Sequence, residues 1–428
     1  MCAKGLTGEG YDGHYFWDTE TYIYPLFLYS NPQVARQLIM FRYNTLEAAR
    51  KRASELNHSR GALFPWRTID GHECSPFFPA GTAQYHINAD IALAVTRYFE
   101  ATGDTEFMED YGTELLAETA RIWADFGEFI PSMGGKFCIN EVTGPDEYTC
   151  LVNNNAYTNF MAAHNLRSAV EAMERLKSDN YEKYVHLCHV LDFDERELEY
   201  WQSASENMFY PYDETRQLYA QDDSFFSKEI WDFKNTPKEN YPLLLHYHPL
   251  VLYRYQVCKQ ADLILAQFLL SDQFSLEQKK RDFEYYEKIT THDSSLSTCI
   301  FSIMAAEIGD TEKAYEYFYD TVRTDLDNKK GNTGDGIHAA NMAGTWSAIV
   351  FGFGGLRVIK GKLHLNPVLP EKLKSYTFNI AFRGAHIRVH VDEERVDCTL
   401  VSGNELEIVL RGEEYTIGNG SGDTIEIT

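Results

Sequence analysis

The chain has 428 residues, 24% charged and 44% hydrophobic, a balance suited to a globular protein with a large core and two or three domains. Its net charge of −25 argues against nucleic acid as a partner, because duplex binding rests on Lys and Arg neutralising phosphates. It does not exclude a small anion, which a local cluster of cationic side chains and N–H donors can hold.

Met1-Cys-Ala-Lys-Gly-Leu6 lacks an apolar leader core, and no apolar run reaches the roughly 18 residues that a membrane helix needs. A cytosolic, membrane-free protein is expected. From about residue 17 to 351 the apolar spacing is mostly helical. Behind Asn31-Pro32 an amphipathic helix is predicted over 34–56, then helices at 82–102, 110–130, 153–178, 192–208, 247–269, 275–287, 294–308, 311–325 and 336–351. The linkers 57–81, 131–152, 209–246 and 326–336 are long and rich in Trp, Pro, His and Gly, the mark of working loops and not of disorder. At Gly352-Phe-Gly-Gly355 the period changes. Short strands are predicted at 356–365, 376–382, 385–391, 395–401, 405–410 and 413–418, so a small antiparallel β-domain (352–428) follows a helical domain (1–351). The eight scattered cysteines have no CxxC or CxxH spacing and read as reduced, mostly buried thiols. No cluster has metal-ligand spacing, so neither metal nor cofactor is expected. Aromatic residues reach 14%; the 28 Tyr and 26 Phe serve either a large core or a surface that stacks on sugar rings.

The chemistry concentrates at Val142-Thr-Gly-Pro-Asp-Glu-Tyr148. Gly and Pro end one element and aim the next two side chains, Asp146 and Glu147. Two adjacent acids suppress one another's ionisation, so one of them could keep a proton near neutral pH and pass it to a leaving group. Further polar, aromatic segments are Gly8-Glu-Gly-Tyr-Asp-Gly-His-Tyr-Phe-Trp-Asp-Thr-Glu20, Phe64-Pro-Trp-Arg67, Lys259-Gln-Ala-Asp262, Thr290-Thr-His-Asp-Ser-Ser-Leu-Ser297 and Asp335-Gly-Ile-His338.

Together, and in this order, the six segments resemble glycoside hydrolase family 65, the inverting phosphorylases of α-linked glucose disaccharides, from about Gly5 to Pro370. The resemblance implies an (α/α)6 barrel, a small C-terminal β-sandwich, and a reaction in which disaccharide and inorganic phosphate give β-glucose 1-phosphate and a free sugar. It implies Glu147 as general acid; Trp17, Asp18, Lys259 and Gln260 as sugar contacts; and Thr291, His292, Ser294, Ser295, Gly336 and His338 around the phosphate. Arg67 and Glu73 would lie by the acceptor sugar. Phosphate is already an anionic nucleophile, so such an enzyme needs no base. The segments Trp66–Ser75 and Pro79–Asn88 look more like trehalose-type than maltose-type enzymes, with nigerose and kojibiose types open.

Family members carry an N-terminal β-sandwich and a helical linker ahead of Gly-Glu-Gly-Tyr, which here begins at Gly8. The expectation is a truncated product or a fragment, with an apolar strip uncovered where the barrel's first helix would lie. Two alternatives follow: a hydrolase using Asp335 or Asp293 as base, and an inactive remnant. A homodimer is open.

Overall fold

The computed structural model describes residues 1–418 and 424–427. A helix-rich domain comes first, and its helices start and stop where side chains compete for backbone groups. The predicted helix over 34–56 is two helices, Pro32–Asn44 and Leu46–Glu55. Thr45 divides them, its hydroxyl donating back to the carbonyls of Phe41 and Arg42 (3.0 and 3.1 Å). Asn155 caps the long helix Ala156–Asp179 by accepting from Thr158 N at 2.9 Å. Asn180 then caps Tyr181–Leu191, a helix the spacing did not reveal. Tyr24–Ser30 is likewise a helix outside the predicted set. Among the described residues, no helix is long and apolar enough to cross a membrane.

The C-terminal part forms two four-stranded sheets. The first runs Thr424–Ile427, Val396–Ser402, Ala385–Asp392, Ser375–Phe382, antiparallel throughout. Its alternation is as the sequence implied, with Ile387, Val389 and Val391 buried and Arg388 exposed. The second runs Glu413–Ile417, Leu406–Leu410, Lys362–Leu365, Arg357–Ile359. Here the expected antiparallel order fails at one junction: Leu406–Leu410 lies parallel to Lys362–Leu365, Ile408 opposite Leu363. The chain leaves this sheet after Leu365, builds three strands of the other and returns in the same direction, the kind of crossover that a parallel pairing requires. The single strand predicted over 356–365 is a hairpin turning at Lys360 and Gly361, both at positive φ.

One hydrophobic core runs through both parts. Phe351 meets Tyr29 and Phe268, Phe353 meets Phe318 and Tyr376, and the Tyr376 hydroxyl donates to the carbonyls of Phe353 (2.7 Å) and Val368 (2.9 Å). All eight cysteines are free; Cys138, Cys258, Cys299 and Cys398 are buried, whereas Cys74 is exposed.

Candidate active site

The acid turn sits on a bed of buried polar side chains. Gly144 lies so close to Asp262 and Asn155 that a Cβ would fall 2.4 and 2.5 Å from their side-chain atoms. Glycine is there for space, not for a left-handed φ. The Pro145 carbonyl accepts from Gln260 Nε2 (2.5 Å), and Asp146 N donates to Asp262 Oδ2 (3.3 Å). Asp146 itself points inward, fully buried. One of its oxygens accepts from Tyr148 N (3.2 Å) and Lys259 N (2.7 Å), the other from Gln221 Nε2 (2.9 Å). Burial pushes its carboxyl up to about 6. The expected mutual suppression by two adjacent acids is therefore corrected: the two side chains diverge, and desolvation is what shifts Asp146.

Glu147 points the other way, half-buried, and its Oε2 accepts from Lys259 Nζ at 2.6 Å. Burial alone would depress the Lys259 ammonium, but the Glu147 carboxylate outweighs it and the net shift is upward. Lys259 is not on a helix. The helix predicted over 247–269 is broken into Pro249–Leu252 and Leu263–Leu269, because residues 258–260 give their backbone bonds to neighbours. Cys258 N bonds Ile289 O, Cys258 O accepts from Thr291 N (both 2.8 Å), and Lys259 N bonds Asp146. That spending brings the Lys259 and Thr291 segments to the acid turn. Asp18 feels the charges of Glu147 and Lys259, and burial pushes its carboxyl up to about 7, Glu20 and Glu147 adding to the rise. Tyr11, held with Asp12 at positive φ, shares the field of Asp18, Glu147 and Lys259. Trp17 is only 4% exposed, its ring edge-on to His86 (4.9 Å) and Tyr22 (5.6 Å), so it is chiefly a core residue. Gln260, 3% exposed, spends its amide on Pro145 and so holds the turn.

A basic locus adjoins the Lys259 side. Lys330 Nζ donates to the His292 carbonyl, and its charge reaches Lys259, His292 and His338. His292 is at positive φ; its Nδ1 lies 2.8 Å from Ser297 Oγ, and its ring packs against Phe301 and Tyr317. Burial, then Lys330, pushes the imidazole down to about 4, so it is neutral at pH 7. The Thr291 hydroxyl donates to Cys258 O (3.2 Å), while Ser294 Oγ accepts from Leu296 N (3.2 Å) and keeps its own proton to donate; Ser295 is half-buried. His338 precedes the helix Ala339–Ser347, with Nδ1 2.6 Å from Asp325 and Nε2 2.9 Å from Lys4 Nζ. Lys4 also donates to Gly336 O (3.2 Å), and Gly336 adopts φ +120° with Gly5 O 2.6 Å from where a Cβ would stand. Asp293 gives its carboxylate to the Tyr148 hydroxyl and Leu243 N, and Asp335 is exposed.

Residues 1–347 match the family described as glycosyl hydrolase family 65 central catalytic domain, and residues 356–417 match the glycosyl hydrolase family 65 C-terminal domain. The chain belongs to glycosyl hydrolase family 65. Among relatives it is 55% identical to an alpha,alpha-trehalose phosphorylase of Geobacillus stearothermophilus over 100% of this chain and 55% of that one. A kojibiose phosphorylase of Caldanaerobacter subterraneus subsp. tengcongensis is 38% identical over 97% of this chain and 56% of the relative. The chain thus spans about half the length of these curated relatives. A solved putative kojibiose phosphorylase from the human microbiome superposes with a TM-score of 0.92 at 37% identity, covering 100% of this chain and 62% of that one.

In this family 65 chain Glu73 organises a loop, accepting from Trp66 N (2.7 Å), Arg67 N (3.1 Å) and Ser75 N (3.0 Å) and pairing with Arg52. Arg67 faces Tyr11, Asp12 and His14, and its Nε, like Trp66 Nε1, is buried without a partner among the described residues. Reading the sequence missed Lys4, Tyr11, Gln221, Asp325 and Lys330. Tyr11 and Asp262 lay inside quoted motifs, but nothing local distinguished Lys4 or Lys330, whose partners are far away in sequence.

Proposed function

We propose that the chain catalyses inverting phosphorolysis of an α-linked glucose disaccharide, trehalose in preference to nigerose, kojibiose or maltose, on a helical domain that closes as an (α/α)6 barrel. The observation that carries the reading is Lys330: it bonds the loop of His292 and sits in the field of Lys259, the residue that holds Glu147. That link supports placing acid and anion locus in one site. Glucose binds by Asp18 and Lys259, and the Glu147–Lys259 pair opens as the glycosidic oxygen approaches. Glu147, a carboxylate while it is paired with Lys259, takes up a proton from solvent as that pair opens and gives it to the glycosidic oxygen while the bond to the anomeric carbon breaks. A phosphate oxygen, held by Lys330, His338, Ser294 and Ser295, forms the new bond from the opposite face. Asp293 is engaged by Tyr148 and Leu243, so the hydrolytic alternative lacks a free base there. The trehalose preference rests on the identities of 55% and 54% to two trehalose phosphorylases against 38% to a kojibiose phosphorylase. Arg67 over Tyr11 and Trp66 beside Phe16, each with a donor unpartnered among the described residues, suit acceptor hydroxyls.

Incubation with trehalose, nigerose, kojibiose and maltose, with and without phosphate, tests the reading. Phosphate-dependent release of β-glucose 1-phosphate is expected, lowered by about two to four orders of magnitude in Glu147→Gln. Equal glucose release without phosphate would overturn it.

A further inference from the structure

Between the helical and β-domains two adjoining cavities, of 230 and 370 Å³, share Thr96, Glu100, His164 and Lys360 and have no lining residue in common with the site above. The smaller has an aromatic wall of Tyr29, Phe268 and Phe351, ring centroids 5.8 and 5.5 Å apart. Four cations line it. Arg357 is spoken for by Glu307 and stacks on Phe268. Arg97 and Arg167 enter no ion pair among the described residues: Arg97 donates to Leu269 O (2.7 Å), Arg167 to the Tyr210 hydroxyl. His164 lines the same cavity and feels both charges, with Nε2 3.3 Å from Thr96 Oγ1 and 3.4 Å from Ser168 Oγ. Burial, then Arg167 and Arg97, pushes its imidazole down to about 3, so it meets a ligand neutral. Two carboxylates line the cavity, Glu100 and Asp272; burial raises the first above its ordinary value, and Arg97 offsets part of that rise. In a chain of net charge −25, two half-buried guanidiniums with no direct carboxylate contact among the described residues, Arg97 sharing only the field of Glu100, are an exception that an anion would relieve.

We propose that this inter-domain cavity is a second anion site, taking a phosphate group between Arg97 and Arg167, with room along Tyr29 and Phe268 for an attached sugar. Its place in the fold does not rest on the phosphorolysis reading; only the expected count of two phosphates does. Free phosphate and a sugar phosphate offer the same group to the arginines.

Calorimetric titration with inorganic phosphate and with glucose 6-phosphate separates the possibilities. The unaltered chain is expected to bind two phosphates and His338→Ala one. The remaining site should weaken at least tenfold in Arg97→Gln/Arg167→Gln and about threefold in Lys360→Gln, whose side chain is exposed and cannot disturb the core. In the His338→Ala protein, tighter binding of glucose 6-phosphate than of phosphate assigns the site to a sugar phosphate, and equal binding assigns it to free phosphate. Affinity unchanged in both the double variant and Lys360→Gln overturns the proposal; should circular dichroism find the double variant unfolded, Lys360→Gln alone decides. A His338→Ala protein that binds no phosphate, or whose one remaining site shows no arginine dependence, also overturns it, while an arginine-dependent site in a chain showing no phosphorolysis would leave it standing.

Discussion

At the scale of single residues, Asp18 changes charge within the working pH range. Burial pushes its carboxyl up to about 7, and Lys259, which would favour the charged form, offsets only part of that. If Asp18 accepts hydrogen bonds from glucose hydroxyls, its carboxylate form binds and its neutral form does not. kcat/KM for the disaccharide should then fall about tenfold per pH unit below pH 7 and level off above it. In Asp18→Asn that limb should vanish along with most of the activity; an acid limb surviving in Asp18→Asn would assign it elsewhere. Residue identity was legible here, because Trp-Asp and Lys-Gln stand inside motifs. Orientation was not. Trp17 and Gln260 share those motifs, yet both turn into the interior, since neither spacing nor residue type reports which way a side chain faces.

At the scale of elements, the Gly-Pro-Asp-Glu turn is held by segments more than a hundred positions away in sequence, through Asp262, Gln260 and Lys259 N, and by Asn155 and Gln221. Gly144→Ala adds one methyl group where no space exists, which should cost about 1–3 kcal/mol and displace Glu147 from Lys259. Lowered thermal stability with at least tenfold lower kcat is expected; full activity would show that the bed yields freely. Asp146 has its own signature. Its carboxyl sits at about 6 in the fold against 3.8 ordinarily, so the folded state holds the extra proton. The resulting stability is present below about pH 3.8 and is lost as pH rises through 6, a span worth up to about 3 kcal/mol. Urea unfolding from pH 4 to 7 should show this decline, and Asp146→Asn should flatten it. The turn was legible from Gly and Pro alone. The break at 257–262 was not, because the apolar spacing around it is helical and only tertiary bonds to Asp146, Ile289 and Thr291 unwind it.

For the whole molecule, the shared core predicts that the two domains unfold together. All six Trp lie at or before position 346, so their fluorescence reports on the helical part alone. Phe378, in the β-domain, lies on Gly354 at the domain junction, its ring 2.6 Å from where a Cβ would stand. Phe378→Ala should cost about 3–5 kcal/mol and move the Trp-reported midpoint as far as the one reported by far-ultraviolet circular dichroism. A Trp transition left in place while the strands melt early would show two independent units.

Apolar period was enough to establish a helical domain followed by strands, and the Gly-Pro turn to nominate Asp146 and Glu147 together, because these depend on patterns within a few residues of one another; the choice of Glu147 came from the resemblance of six motifs to family 65. The parallel pairing of Leu406–Leu410, the inward turn of Asp146 and Trp17, and the convergence of Lys4, Lys259 and Lys330 were decided only by the folded chain. Each depends on which distant groups compete for the same hydrogen bond or the same buried volume, and a linear pattern carries no distance between such groups.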